Sequence, residues 1–180
     1  GHQWEQRLLL DTEESQNEGQ LLEDLNGDGK PEWIVNTWAK DAPIYVYELT
    51  TIKKPAAVKN GQKTEEVEQS VPALRKNLVG MRGNGHGLGT GDINGDGYSD
   101  LLLGHGWYEN PGKDCLTTTW KYHNDWQIHG SVPILVYDVN NDGKNDVLVG
   151  EAHAHGLYWW ENQGEQNSTI QFEKHLIDEK

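Results

Sequence analysis

The chain has 180 residues, a formal net charge of −14 and a hydrophobic content of 34%. This length is sufficient for one domain with its own core, and the negative charge argues against nucleic acid or an anionic membrane as a partner. No apolar run reaches the length of a membrane span. The single cysteine, Cys115, cannot form an intrachain disulfide. We therefore expect one domain over residues 1–180.

The first predicted elements are a strand at residues 4–11 and a second strand that leads into an acidic loop. The loop reads Glu-Asp-Leu-Asn-Gly-Asp-Gly-Lys-Pro-Glu over residues 23–32. Apolar runs at residues 33–35 and 44–49 predict the strands that follow. Residues 50–79 are polar and irregular. We expect an insertion there, with one outer strand at residues 65–71.

The acidic loop returns at residues 91–100 and 137–146. Counted from its first Asp, oxygen-bearing side chains occupy positions one, three, five and nine, and position six is glycine. This spacing suits calcium, which takes several oxygen ligands from a tight loop, here with the carbonyl of position seven. The sequence therefore predicts about three calcium ions. The predicted ligands are Asp24, Asn26, Asp28, Lys30, Glu32, Asp92, Asn94, Asp96, Tyr98, Asp100, Asp138, Asn140, Asp142, Lys144 and Asp146.

Two alternatives for these loops are an EF-hand and a metal-free hairpin turn. An EF-hand requires Glu at position twelve between two helices, whereas position twelve is Val35, Leu103 or Val149 within an apolar, strand-like run. A turn rich in Asp, Asn and Gly requires no metal. Three copies that all keep an acid at position nine favour the calcium loop over the plain turn.

The later part of the chain repeats itself outside the loops. Trp107-Tyr108-Glu109-Asn110 matches Trp159-Trp160-Glu161-Asn162, and outer strands are predicted at residues 118–126 and 170–177. The second and third loops start 46 residues apart. A period near 45 residues with four short strands is typical of a β-propeller blade.

These loops, together with the glycine- and histidine-rich runs at residues 85–89 and 152–160, resemble FG-GAP/VCBS repeats. Such repeats form the calcium-loop blades of integrin α-chain propellers. The chain resembles bacterial secreted VCBS propellers more closely, and propellers of sugar lyases and dehydratases more loosely. The resemblance implies an all-β fold with about three four-stranded blades plus the extra strand at residues 4–11. It implies part of a seven-bladed propeller, completed by further blades of a longer chain or by another subunit.

Blade geometry places a second set of residues on the face opposite the acidic loops. His86, His153 and His155 are the candidate catalytic residues there, and His105, Trp107 and His129 are candidates for a ligand-binding rim. Histidines from adjacent blades can bind a divalent metal, zinc first, or act as general acid and base. Alternatively, they only hydrogen-bond loop backbones.

The sequence thus supports two classes of function. The first is a calcium-binding secreted module, located outside the cell or in the periplasm, that binds carbohydrate or an extracellular protein through this rim. The alternative is a polysaccharide or sugar lyase or dehydratase that uses the histidines, with or without a divalent metal. The sequence leaves open whether the protein is an enzyme.

Overall fold

The computed structural model describes residues 4, 6, 8–13, 15–39, 41–60, 63–83, 85–129, 133–151 and 153–178. Twelve strands form three antiparallel four-stranded sheets, which confirms the predicted all-β fold with three blades. Blade 1 contains β1 (Asn17–Glu23), β2 (Glu32–Thr37), β3 (Ile44–Asn60) and β4 (Lys63–Gly80). Blade 2 contains β5 (Leu88–Gly91), β6 (Asp100–Leu103), β7 (Gly106–Glu109) and β8 (Lys121–His123). Blade 3 contains β9 (Leu135–Tyr137), β10 (Asp146–Gly150), β11 (Leu157–Gln166) and β12 (Thr169–Asp178).

Helical structure is confined to one short element in the described residues. It is a single 3-10 turn at Gly112–Asp114. None of the helical structure described has the length and apolar character needed to cross a membrane.

The middle blade is covered on both faces, which explains its apolar sequence. All four residues of β6, Asp100–Leu103, are buried. One core joins blades 1 and 2, and the other joins blades 2 and 3. The first core contains Leu25, Ile34, Ile44, Val46, Val79, Leu88, Leu101, Leu103, Tyr108, Cys115 and Trp120. The second contains Ile93, Leu102, Trp107, Trp126, Ile128, Ile134, Val147, Val149 and Ile170.

The first strands of the blades lie side by side, as expected for the innermost strands of a propeller. Gly89 of β5 forms a parallel bridge with Ile134, and the Ile134 amide donates to the Leu88 carbonyl at 2.8 Å. A Cβ atom on Gly89 would lie 2.2 Å from the Ile134 carbonyl oxygen. Glycine is therefore required at this position because the two backbones approach so closely.

The predicted strand at residues 4–11 is wrong. Within that segment the structure describes residues 4 and 6 and residues 8–11, and none of them belongs to a strand. Trp4 and Leu8 are 98% and 84% exposed. Apolar composition suggested a strand, but these side chains find no sheet to pack against in the described structure.

Residues 50–79 belong to one long hairpin. β3 and β4 pair continuously from Tyr45 opposite Leu78 to Asn60 opposite Lys63. The strand expected at residues 65–71 lies within β4, which is much longer. Most side chains described at residues 50–57 and 66–72 are exposed. The hairpin therefore extends beyond the body of blade 1, and its status as an insertion stays a prediction.

The outer strand of blade 2 is shorter than expected. Residues 118–126 were predicted to form it, whereas β8 contains only Lys121–His123. The chain leaves the sheet before and after β8, and a buried tryptophan lies in each of these two segments. Trp120 Nε1 donates to the Cys115 carbonyl at 2.9 Å, and Trp126 Nε1 donates to the Leu103 carbonyl at 2.8 Å.

Candidate functional site

Each acidic loop is folded around its first aspartate. In loop 2 (residues 92–100), Asp92 Oδ1 accepts hydrogen bonds from the amides of Gly95 and Asp96 at 2.7 and 3.0 Å. Its Oδ2 accepts one from Gly97 at 2.9 Å. Loop 1 (residues 24–32) and loop 3 (residues 138–146) repeat the bonds to the position-five and position-six amides. The repeated sequence is thus a repeated backbone conformation.

The glycine at position six is required by the backbone. In the three loops its φ is +84°, +91° and +87°, a region that favours residues without a Cβ atom. Position four also has a positive φ and is glycine in loops 1 and 2. Loop 3 has Asn141 there, with φ +59°, and Asn tolerates this conformation better than most residues.

The other predicted ligands are oriented by the loop. Asn94 Oδ1 accepts from the Asp96 amide at 3.0 Å, and Asn26 and Asn140 repeat this bond. At position five, Oδ1 accepts the position-seven amide at 2.8–2.9 Å. The three pairs are Lys30 to Asp28, Tyr98 to Asp96 and Lys144 to Asp142. The role of the position-seven carbonyls as ligands stays a prediction.

The acid at position nine is buried, unlike the other loop acids. Glu32, Asp100 and Asp146 are at most 1% exposed. Asp100 Oδ2 accepts the Ile93 amide at 3.0 Å, and its Oδ1 accepts the Asn110 amide at 2.8 Å. Asp146 makes the same two bonds with Val139 and Asn162, and Glu32 accepts the Leu25 amide.

Loop 2 has the chemistry of a divalent cation site. Burial raises the pKa of Asp100 to about 7 against the lowering effect of its two amide bonds, and the Asp96 and Asp92 carboxylates add to the rise. Burial likewise raises the pKa of Glu32, with contributions from Asp28 and Asp24. The carboxylates of a loop are therefore close enough to repel one another, and a bound cation relieves that repulsion. The donor set is all oxygen, which fits calcium.

The loops are linked from blade to blade by two asparagines. Asn110, just after β7, donates from Nδ2 to the Leu25 carbonyl of loop 1 at 2.9 Å and to the Ser99 carbonyl at 2.8 Å. Asn162 in β11 donates in the same way to Ile93 of loop 2 and to Asn145. Sequence reasoning missed this role, although the repeated Glu-Asn-x-Gly motif was the available signal.

Position eight of the loops adds a second link at each blade interface. Ser99 Oγ donates to Glu23 Oε1, which lies just before loop 1, at 2.7 Å. Asn145 Nδ2 donates to the Asp92 carbonyl of loop 2, also at 2.7 Å. The three loops therefore form one hydrogen-bonded row along the same end of the blades.

The opposite end of the blades contains a cavity of about 560 Å³. Its walls come from the residues before β5 and β9 and from the turns after β6 and β10. Five of the six residues predicted for the catalytic site and rim line it. These are His86, His105, His129, His153 and His155.

His86 and His153 meet at this cavity across blades 2 and 3. Their Nε2 atoms are 3.3 Å apart. On the other side of the His86 ring, Nδ1 lies 2.7 Å from Glu18 Oε2 of blade 1. A proton on Nδ1 is thus held by the carboxylate, and the His86 Nε2 lone pair then points at His153. Nothing in the sequence around Glu18 indicated this contact.

Trp107 does not belong to the rim, so that prediction is wrong. It is 1% exposed and lies in the core between blades 2 and 3. Its ring stacks on His123 at 4.0 Å, and its Nε1 donates to Asp125 Oδ2 at 2.9 Å. The tryptophan beside the cavity is instead Trp38, which is 52% exposed and contacts the His86 ring at 5.1 Å.

Comparison with known proteins identifies one part of this architecture. Residues 84–112 match the FG-GAP repeat. The match begins before β5, contains loop 2 and ends after Asn110, so it covers the first three strands of blade 2 but not β8. It supports an FG-GAP-type β-propeller. No curated protein and no solved structure matches the chain.

Proposed function

We propose that the protein is a calcium-binding β-propeller module that acts outside the cell or in the periplasm. Loops 1–3 bind about three calcium ions, and the histidine-lined cavity at the other end binds carbohydrate or an extracellular protein. The observation that carries the proposal is the repeated loop geometry, in which positions one, three, five and nine of each loop bear oxygen-containing side chains and none of these four positions is basic. FG-GAP repeats are typical of extracellular proteins, which supports the location.

The calcium part is tested by metal analysis of the purified chain. After dialysis against metal-free buffer and addition of calcium, we expect about three bound calcium ions per chain. Replacing the exposed position-five acid by Ala in one loop, as in Asp96→Ala, removes one ion. Glu66→Ala, an exposed acid on the long hairpin, is the control and keeps all of them. Absence of bound calcium in the unaltered chain contradicts the proposal.

The cavity has the composition of a carbohydrate site. Ile128 and Tyr158 line it together with the histidines, so polar groups converge beside apolar surface. Trp38 presents an exposed ring next to His86, and flat aromatic faces stack on sugar rings. Carbohydrate is therefore favoured over a protein as the ligand.

A screen against neutral and acidic oligosaccharides tests the carbohydrate ligand. Trp38→Ala weakens binding of a sugar found in this screen at least tenfold, because it removes the stacking surface. The control is Trp4→Ala, which alters a more exposed tryptophan, 98% against 52%, that is not among the residues lining the cavity. Equal losses in both variants, or binding unaffected by Trp38→Ala, would show that the sugar lies elsewhere.

The second candidate function is a sugar lyase or dehydratase, and the pair formed by His86 and His153 favours it. With Glu18 holding a proton on Nδ1, Nε2 of His86 can accept a proton from a carbon next to a carboxylate or carbonyl. The C–H electrons then form a C=C bond as the neighbouring C–O bond breaks. The leaving oxygen takes a proton from the second histidine. His155 lines the same cavity and stays a candidate for this step.

The same pair is also suited to zinc. Two nitrogens bound to one tetrahedral zinc at about 2.0–2.1 Å lie roughly 3.3–3.4 Å apart, and the two Nε2 atoms are 3.3 Å apart. The Glu18 carboxylate on the far side of the His86 ring is the partner that zinc-binding histidines usually have. Zinc bound there would polarise a substrate carboxylate or carbonyl.

Activity on acidic polysaccharides separates the enzyme from the binding module. A lyase produces ultraviolet absorption from the conjugated C=C bond, and Glu18→Gln lowers kcat with little change in KM because it acts through the His86 ring. Glu13→Gln, which alters an exposed acid outside the cavity lining, is the control. Sugar binding without turnover in the unaltered protein rejects this second candidate.

A further inference from the structure

A cluster of three metal-binding side chains lies on the outer strands of blade 3. The ligand atoms of Glu161, Glu173 and His175 are all within 4.8 Å of one another. Glu161 in β11 and Glu173 in β12 are direct cross-strand partners. His175 is two residues beyond Glu173, so it lies on the same face of the sheet. This cluster shares no residue with the acidic loops or with the lining of the histidine-lined cavity, although Glu161 contacts loop 3.

Blade 2 contains the same arrangement with one difference. Glu109 and His123 correspond to Glu161 and His175, and their side chains approach to 2.7 Å in the same way. The residue paired with Glu109 is Lys121, whose Nζ lies 3.0 Å from Glu109 Oε2. Lysine therefore balances the carboxylate in blade 2. In blade 3 a second carboxylate, Glu173, stands in the place of that lysine.

Glu161 and His175 of the cluster are held in place by neighbouring side chains. Glu161 Oε1 accepts a hydrogen bond from Asn140 Nδ2 at 2.8 Å, and its Oε2 lies 2.7 Å from His175 Nε2. The His175 ring stacks on Trp159 at 4.6 Å. These contacts hold one carboxylate and one imidazole in place before any ion arrives, which lowers the entropy cost of binding.

The neighbouring lysine does not replace the missing positive charge. Lys174 lies between Glu173 and His175 in sequence, so its side chain is on the opposite face of the strand. Its Nζ is 3.7 Å from the centre of the Tyr158 ring and 5.5 Å from that of Trp160. Two carboxylates thus share a single imidazole in this cluster, and a divalent cation would balance their negative charge.

We propose that Glu161, Glu173 and His175 form a binding site for a divalent transition metal, with zinc as the best-suited ion. A nitrogen ligand and two carboxylates suit zinc better than calcium or magnesium, which prefer oxygen ligands alone. The site is partly exposed, so water completes the coordination. The proposal does not depend on calcium in the loops or on a ligand in the cavity.

Zinc titration of the full chain tests the site. The titration uses saturating calcium, so that the loops are filled, and His153→Ala, so that the cavity pair cannot bind zinc. We expect one zinc per chain by calorimetry in this background. Glu173→Lys, which introduces the residue type found in blade 2, weakens zinc binding at least tenfold. Glu173→Gln weakens it as well, without introducing a positive charge.

The matched control is Glu66→Lys, which makes the same charge change on the exposed part of the long hairpin. It leaves zinc affinity unchanged if binding is local. Calcium content and thermal unfolding, measured on the same samples, show that each variant is folded. The site is rejected if the His153→Ala protein binds no zinc, or if Glu173→Lys and Glu66→Lys bind it equally well.

Discussion

The acids of loop 3 differ in how much they contribute to the stability of the fold. Asp142 is exposed, and Lys144 lowers its pKa through a side-chain hydrogen bond. Asp146, four residues later, is fully buried and accepts two amide hydrogen bonds, one within its loop and one from β11. The position-nine acid is therefore part of the fold as well as a candidate ligand.

This difference predicts two separate phenotypes. Asp146→Ala leaves one buried and one partly buried amide without an acceptor, and we expect a loss of about 2–4 kcal/mol in the free energy of unfolding. Asp142→Ala costs much less, because exposed ion pairs contribute little. Both variants bind calcium less well. Urea unfolding of both variants is compared with that of the unaltered protein, at the lowest calcium concentration at which the unaltered protein stays folded. Equal losses of unfolding free energy in the two variants contradict the prediction.

At the residue scale, local patterns were readable and distant contacts were not. Calcium-ligand spacing repeats within nine residues, so the loops were predictable from the sequence alone. Glu18 reaches His86 from another blade, and no local pattern encodes such a contact. Trp107 was misplaced because alternation along a strand shows that a side chain faces a neighbour, but not which neighbour covers it.

At the scale of elements, the blades differ at the third-strand position whose side chain bonds to the loop of the preceding blade. Asn110 follows β7, the third strand of blade 2, and Asn162 lies in β11, the third strand of blade 3. Each donates a hydrogen bond to the loop of the preceding blade. The register of β2 and β3 places Leu49 at the corresponding position of blade 1, and Leu49 is 61% exposed. Blade 1 therefore has no asparagine at the position that links blades 2 and 3 to the loop of the preceding blade.

Asn162→Leu, which copies the blade 1 residue, tests the importance of this link. It removes the donors to Ile93 and Asn145 and the acceptor for the Gly164 amide. We expect a loss of about 1–3 kcal/mol and a broader unfolding transition as blade 3 separates from blade 2. The control is Asn77→Leu, at a partly exposed asparagine in β4. A sharp transition with unchanged stability would show that the apolar core alone joins these blades.

The long hairpin shows why one element was hard to predict. Its described side chains at residues 50–57 and 66–72 are mostly exposed, so neither face of β3 or β4 needs apolar residues there. Strand prediction relies on an apolar face. Most cross-strand pairs in this part of the hairpin include a polar residue, and the apolar pairs Ile52–Val71 and Ala56–Val67 are too few to give a periodic signal. By contrast, buried strands such as β6 were readily found.

At the scale of the whole molecule, we expect the exposed part of the hairpin to be dispensable for the fold. Thr50 pairs with Ala73, so residues 51–72 can be replaced by the two-residue turn Asn-Gly, which suits hairpins. We expect Tm to change by only a few degrees and calcium binding to be unaffected. Circular dichroism and metal analysis check both. Failure of this shortened chain to fold would assign residues 50–79 to the domain core instead of an insertion.

Calcium concentration sets the overall stability if the loops bind the ion. Each site that is filled at a hundred times its dissociation constant adds about 2.7 kcal/mol to the free energy of unfolding. We expect Tm to rise steadily with the logarithm of calcium concentration, and magnesium at equal concentration to have a smaller effect. A Tm that is independent of calcium contradicts ion binding to the folded loops.

The direction of the asparagine links has a consequence for synthesis of the chain. In both links the donor belongs to the later blade and the acceptor to the earlier one, at sequence separations of 85 and 69 residues. Loops 1 and 2 therefore gain this hydrogen-bond partner only after the next blade has emerged from the ribosome. Contacts this distant in sequence slow folding. We therefore expect blade 2 to secure blade 1, and blade 3 to secure blade 2, as the chain is made.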